Sequence, residues 1–236
     1  MTSETARVEQ SATWYTTKQL DFDRRLVGFR FRSMLPYVTA RRVLELGSGD
    51  GVMTAMLAEH FEHVTVVEGS RHLLDAIPDR PNLSKVHSLF EEFRPAEPFD
   101  AIIMEHVLEH VEDPVAILKL ATPWLAPEGV IVVGVPNANS FHRLAAVKMG
   151  LLPDVHALNA RDHEVGHRRV YDWDSLRADI TAAGLSVAHM DGVFFKPLSN
   201  GQIDQHWTDQ MIEGFYELGK DFPENAAEIT AICRLP

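Results

Sequence analysis

Residues 43–51 read Val-Leu-Glu-Leu-Gly-Ser-Gly-Asp-Gly, a short apolar run that breaks into three alternating glycines. An apolar run of this length ahead of a glycine turn reads as a buried strand, and residues 52–60 behind it read as a helix. A strand, glycine turn and helix in that order let an open α/β sheet bring its backbone close to a ligand, because a Cβ at Gly47 or Gly49 would stand in the way. The glycines at 47, 49 and 51 give GxGxG, not the GxGxxG of the dinucleotide fingerprint. Glu45 stands two residues before Gly47. A carboxylate so near the turn would repel a pyrophosphate and suits a ligand with positive charge, such as the ammonium of an amino-acid moiety.

Strand and helix patterns alternate outward from this turn. Helical spacing precedes it at 18–38. Strands are expected at 42–46, 63–68, 83–89, 100–104 and 130–135, with helices at 52–60, 71–77 and 114–125. Asp113 is the expected N-cap of the last of these, with Pro114 at its first turn. Such alternation argues a parallel sheet with helices on both faces. The pattern stops at 137–171, a stretch rich in histidine and loop residues with a short helical piece near 141–149. An excursion of that length is expected to be a lid or an acceptor-recognition insert. A helix at 174–183, a strand at 185–190, a helix at 207–220 and a strand at 227–235 complete the chain. The organisation read from this is an N-terminal segment and helix (1–39) expected to cover the cofactor and acceptor, a ligand-binding core (40–136), a lid or acceptor insert (137–171) and a C-terminal completion of the sheet (172–236). The first dozen residues are expected to be loosely attached.

Glu68 closes the second strand, where an acid can accept hydrogen bonds from a ribose diol. With Glu45 it points to a nucleoside joined to a cationic group. Val-Leu-Glu-Leu-Gly-Ser-Gly-Asp-Gly resembles motif I of class I S-adenosylmethionine (SAM)-dependent methyltransferases, and Glu68 resembles their ribose ligand. Residues 99–114, with Leu-Glu-His-Val-Glu-Asp-Pro, are similar to the segment after the fourth strand of UbiG-like small-molecule methyltransferases. Residues 124–137 are similar to their turn and fifth strand. The resemblance implies a Rossmann-like, seven-stranded, mostly parallel sheet with an antiparallel last strand and an insert after strand five. It implies SAM as cofactor, held by Glu45, Gly47, Gly49, Gly51 and Glu68. Leu89 and Phe90 would flank the adenine, and the backbone from Met104 through Glu105 to His106 would meet the methionine end. The family often carries an acid near the adenine, where this sequence reads Ser-Leu-Phe-Glu at 88–91. Leu89 and Phe90 read equally as core packing, and Glu109 reads as a residue that fixes loop shape.

A hydroxyl or ammonium acceptor must lose a proton before or during methyl transfer, and histidine suits that task near neutral pH. The candidates, in order, are His106, His167 and His142; His110, His156 and His163 lie in the same segments. Arg168 or Arg169 could pair with an acceptor carboxylate or phosphate. His163 and His167 are four apart, as in a helical metal site, but Gly166 interrupts that helix, so no metal is expected. The expected reaction is methyl transfer to oxygen or nitrogen of a small molecule, a sugar or other specialised metabolite being favoured. The alternatives are a non-catalytic SAM-binding module and an NAD-dependent oxidoreductase.

The 236 residues, 45% apolar and 24% charged, suffice for a core without staples. A net charge of −12 disfavours a nucleic-acid partner and makes a neutral or cationic small molecule easier to accommodate. The polar N-terminus, the absence of a long apolar run and the single cysteine, Cys233, are read as a cytoplasmic protein without a membrane partner. The sequence leaves the oligomeric state open.

Overall fold

The computed structural model describes residues 3–17 and 20–236. Its helices are α1 (Ser3–Thr17), α2 (Asp21–Met34), α3 (Val52–His60), α4 (Arg71–Ala76), α5 (Pro114–Ala121), α6 (Phe141–Lys148), α7 (Ala160–Val165), α8 (Trp173–Ala182), α9 (Asn200–His206) and α10 (Asp209–Gly219). Its strands are β1 (Arg42–Leu46), β2 (His63–Glu68), β3 (Leu83–His87), β4 (Phe99–Glu105), β5 (Leu125–Pro136), β6 (Ser186–Val193) and β7 (Glu228–Arg234).

The strands form one seven-stranded sheet in the order β3-β2-β1-β4-β5-β7-β6. Pairings from β3 to β5 are parallel, and β7 runs antiparallel to both neighbours. Strand order reverses between β1 and β4, so their carboxyl ends open a crevice of the kind that holds ligands in doubly wound sheets.

Alternation along the strands fills two cores. Leu44, Leu46, Ile102, Met104, Ile131 and Val133 face one side and pack with Leu118 of α5 and Leu176 and Ile180 of α8. Val43, Ala101, Ile103, Val130 and Val132 face the other and pack with Val27 and Met34 of α2 and Met53 and Leu57 of α3. A third cluster ties α2 to the region after β6 through Phe22, Phe29, Phe194, Ile203 and Tyr216, with the Phe29 and Tyr216 rings stacked at 4.4 Å.

The helix starts follow local chemistry. Asp113 accepts the Ala116 amide ahead of Pro114, and Ser70 accepts the Leu73 amide ahead of α4. Helix α5 stops at Ala121, earlier than its periodicity suggests, because Pro123 turns residues 122–124 into a 3-10 turn and β5 already begins at Leu125. Besides α5, three elements differ from the sequence reading, one being α7 (Ala160–Val165), where the insert is expected to be loop outside 141–149. Residues 3–17, expected to be loosely attached, form α1, with Ala12 buried. Helix α9, also unexpected, is capped by a Ser199–Gln202 box and is too short to show a period. Lys18 and Gln19, the start of the expected 18–38 helix, lie outside the described residues. Among the described residues no helix is long and apolar enough to cross a membrane.

Leu44 is fully buried in the central strand. Leu44→Ala is expected to lower unfolding stability by about 2–5 kcal/mol, read by urea titration with an unchanged m-value. A loss below about 1 kcal/mol would show that this layer is not close-packed.

Candidate active site

Three neighbouring parallel strands bring an acid to the same edge of the sheet: Glu45 in β1, Glu68 at the end of β2 and Glu105 at the end of β4. All three line a single cavity of about 850 Å³. That is in the upper part of the ~300–1,000 Å³ range of small-molecule sites, so it has room for two ligands side by side.

The glycine turn forms one wall. Gly47 and Gly49 take positive φ of 80° and 51°, and a Cβ on Gly47 would stand 3.3 Å from Val107 and 3.8 Å from the Phe90 ring. Gly51, also at positive φ, starts α3 against Ile77 and does not line the cavity. The Glu68 carboxylate accepts from the Ser48 amide (2.9 Å) and hydroxyl (3.1 Å) through Oε2 and from the Ser70 amide (2.7 Å) through Oε1, which leaves an Oε1 lone pair for a ribose hydroxyl. Leu89 and Phe90 both line the cavity, beside Ser88 and Gly69. Met104 is fully buried in the core and does not line it, whereas Glu105, His106 and Val107 do.

Helix α1 covers this wall. A Cβ on Gly49 would come within 3.5 Å of Tyr15, and one on Gly69 within 3.3 Å of Val8. Glu9 accepts from the Ser70 hydroxyl and the Arg71 amide, and Arg7 donates to the Gly166 carbonyl, so α1 links the cofactor wall to the insert.

Beyond the turn lies a buried charge cluster. Glu105 pairs with Gly134 across β4 and β5, so their side-chain positions share a face of the sheet. A Cβ on Gly134 would collide with the Glu105 carboxylate; the glycine is the space that carboxylate occupies. Arg30 reaches from α2 to Glu105 (3.8 Å) and Glu228 (3.4 Å). His106, at a positive φ of 56°, is held with Nδ1 3.2 Å from Glu109 and Nε2 3.3 Å from Glu228. Burial pushes Glu45 up to about 8, Glu105 to about 7 and Glu109 to about 8. Burial also lifts Glu228, but Arg30 and His106 outweigh it and hold that acid down to about 2. Both oxygens of Glu105 and of Glu109, and one of Glu45, are buried without a hydrogen bond. Glu45 and Glu105 line the cavity, and a cation entering it would satisfy them, so they fit a sulfonium cofactor with an ammonium group.

The insert supplies the opposite wall. Asp162 closes a capping box with Asn159 at α7, accepts from Arg143 (3.2 Å) and holds His167 through Nδ1 (3.0 Å). His167, His142 and His106 all line the cavity. His163, by contrast, is exposed and does not face the cavity with His167. His167 instead comes together with Glu109 and His110, whose ligand atoms all lie within 4.8 Å of one another. Arg168 and Arg169, expected as acceptor anchors, are committed elsewhere. Arg168 donates to the His110 carbonyl and Arg169 to the carbonyls of Leu108, Val111 and Glu112. That loop turns too tightly to pair its own carbonyls, and the two arginines satisfy them. His156 is half-exposed on Asp172.

A family model described as a methyltransferase domain matches residues 22–190. The chain belongs to this methyltransferase family. Its cavity chemistry and fold make it a SAM-dependent methyltransferase. The ubiquinone biosynthesis O-methyltransferase of Aeromonas salmonicida is 28% identical over 167 residues, covering 68% of this chain and 69% of that protein. The one from Xylella fastidiosa strain M23 is 28% identical over 187 residues, covering 70% and 72%. Among solved structures, the N-methyltransferase NodS of Bradyrhizobium japonicum, in complex with S-adenosylhomocysteine (SAH), superposes with a TM-score of 0.64 at 17% identity, covering 98% and 99% of the two chains. The CcbJ methyltransferase of Streptomyces caelestis superposes at 0.63 with 18% identity and 99% coverage of each. These structures share the fold.

The missed residues are Arg30, Gly134, Asp162 and Glu228. Gly134 carries a readable signal, a glycine inside an otherwise apolar strand, which marks a close approach. Asp162 finds Asn159 three residues before it and His167 five after, whereas Arg30 and Glu228 acquire their partners by long-range packing and leave no signal.

Glu68→Ala is expected to weaken SAH at least tenfold by calorimetry, about 1.4 kcal/mol; unchanged affinity in a folded variant would remove Glu68 from the site. A second test uses pH. Glu45 and Glu105 are protonated below about 7, and a cation favours their ionised forms. Binding therefore releases protons, and affinity rises with pH. SAM and SAH share the ammonium, so the ratio of their affinities isolates the sulfonium. That ratio is expected to rise about threefold or more from pH 6 to 8, as a half-unit pKa shift implies; a flat ratio would show that these acids do not sense the sulfonium.

Proposed function

We propose that this enzyme methylates a hydroxyl oxygen of a small molecule, with His167 as general base and Asp162 as its positioning residue. The observation that carries the reading is the Asp162–His167 pair on the cavity wall. With Nδ1–H on Asp162, the Nε2 lone pair is left for a proton, and it makes no hydrogen bond among the described residues. His106, first choice from sequence, has both ring nitrogens against carboxylates. His142 is driven down to about 2 by burial and by Lys196 and Arg143, too weak a base for a hydroxyl.

SAM supplies the activated methyl. The acceptor O–H gives its proton to His167, the new O–CH3 bond forms, and the S–CH3 bond breaks with its electron pair on sulfur, leaving SAH. Oxygen is chosen over nitrogen because the relatives carry O-methyltransferase names. A sugar or other specialised metabolite, and not a nucleic acid, is the acceptor in this proposal. Asn159 and Arg161 in the wall suit hydroxyls.

A second reading rests on Glu109, His110 and His167, which converge within 4.8 Å with both Glu109 oxygens unpaired. A divalent cation held there would supply Lewis-acid activation of the hydroxyl.

With an acceptor found by screening metabolites against labelled SAM, His167→Ala is expected to lower kcat by about 10²–10⁴ with SAH binding intact. Asp162→Asn should fall in the same direction. Turnover within a few-fold of wild type would remove His167 from the mechanism. Activity that survives exhaustive chelation supports the base reading; loss restored by a divalent cation establishes the second.

A further inference from the structure

Among the cations of the cavity wall away from the glycine turn, one has no carboxylate in contact with it. Asp23 is matched by Arg161 (2.8 Å), Asp162 by Arg143 (3.2 Å), and Glu228 by Arg30 (3.4 Å). The donors of Arg143 are further taken by the Val155 and Ala157 carbonyls. Asp23 also accepts from the Leu20 amide and the Asn200 side chain, so it has no oxygen to spare. Lys196 remains. Its ammonium lines the cavity and donates to the side-chain oxygen of Asn200 at 2.7 Å, a neutral group. No carboxylate forms an ion pair with it among the described residues.

Asn200 is oriented for this task. Its amide nitrogen is bound to Asp23, which turns its oxygen to Lys196. The Lys196 carbonyl is fixed by the His142 amide (3.2 Å), which anchors the residue against α6. Two ammonium hydrogens are left to point toward the cavity. An ammonium withdrawn from water and lacking an anion is unfavourable, and a ligand that brings one negative charge repairs it.

Resting on the reading above, that a small molecule is methylated in this cavity, we propose that the acceptor carries a carboxylate and that Lys196, set by Asn200, is its partner. Lys196 offers a single ammonium, and with Glu105 and Glu228 already sharing Arg30 on this wall a monoanion suits it better than a phosphate dianion. The acceptor would be a hydroxy acid, such as a sugar acid or a hydroxylated aromatic acid. This reverses, for the acceptor wall, the preference for neutral or cationic molecules that the net charge of −12 implies for the molecule as a whole. It also moves the expected anion contact from Arg168 and Arg169 to Lys196.

The test is calorimetry on the SAH-saturated enzyme with two pairs of probes: glucuronate against glucuronamide, and 3,4-dihydroxybenzoate against its methyl ester. Glucose 6-phosphate reports on dianions. In at least one pair the acid is expected to bind tenfold or more tightly than its neutral partner. Lys196→Met should erase that preference while SAH affinity stays at the wild-type value, and Lys196→Arg should keep most of it. The wild-type comparison stands even if Lys196→Met fails to fold. No preference for either acid, a preference that survives Lys196→Met, or tighter binding of the phosphate than of both acids would overturn the proposal. Failure to bind SAH at all would instead sink the methyltransferase reading on which it rests.

Discussion

Carboxyl groups taken out of water at the ends of adjacent parallel strands set the terms for this site. Glu45 and Glu105 flank the point where strand order reverses, and Glu68 ends the next strand out. The fold provides one guanidinium, Arg30, for Glu105 and Glu228 together. Glu68 is stabilised by backbone amides. Glu45 and Glu109 are left with burial as the dominant influence on their charge, and both are pushed up to about 8. A site built this way selects for a cation, and a cationic cofactor both fills it and ionises it. The features around it follow from the same need: glycine at 134 makes room for a carboxylate, and His106 accepts a left-handed backbone to sit between two acids.

The insert answers with the opposite logic. Its charges are matched pair by pair, and its structure is held by those pairs: Arg143 closes the loop onto α7, and Asp162 fixes both that helix and His167. Arg168 and Arg169 tie it to the turn after β4. The cofactor wall and the acceptor wall are thus joined by arginine side chains bound to backbone carbonyls, and α1 lies across both. Methyl transfer needs two ligands held in line, and a cavity whose two walls are bonded to each other supplies that orientation.

Much of this was legible in the sequence because it is written in local pattern. The glycine turn, the strand-ending acids at 45, 68 and 105, and the N-cap at Asp113 each depend on neighbours within a few residues. The parallel sheet follows from strand and helix alternation. What the sequence hid depends on distance. Arg30 and Glu228 meet across nearly the whole chain, and nothing near either predicts a burial partner. The N-terminal segment is expected as a cover, but that its first residues form helix α1, with Tyr15 and Val8 over Gly49 and Gly69, is not written in its polar composition. Arg168 and Arg169 were misread because a surface arginine and one that satisfies loop carbonyls have the same sequence appearance.

A crystal structure with bound SAH tests the central claim most directly. The account predicts the ribose hydroxyls within hydrogen-bond distance of Glu68, the adenine against Leu89 and Phe90, and the sulfur facing open volume between His106 and His167. SAH bound elsewhere, or with its amino-acid end turned away from Glu45 and Glu105, would contradict it.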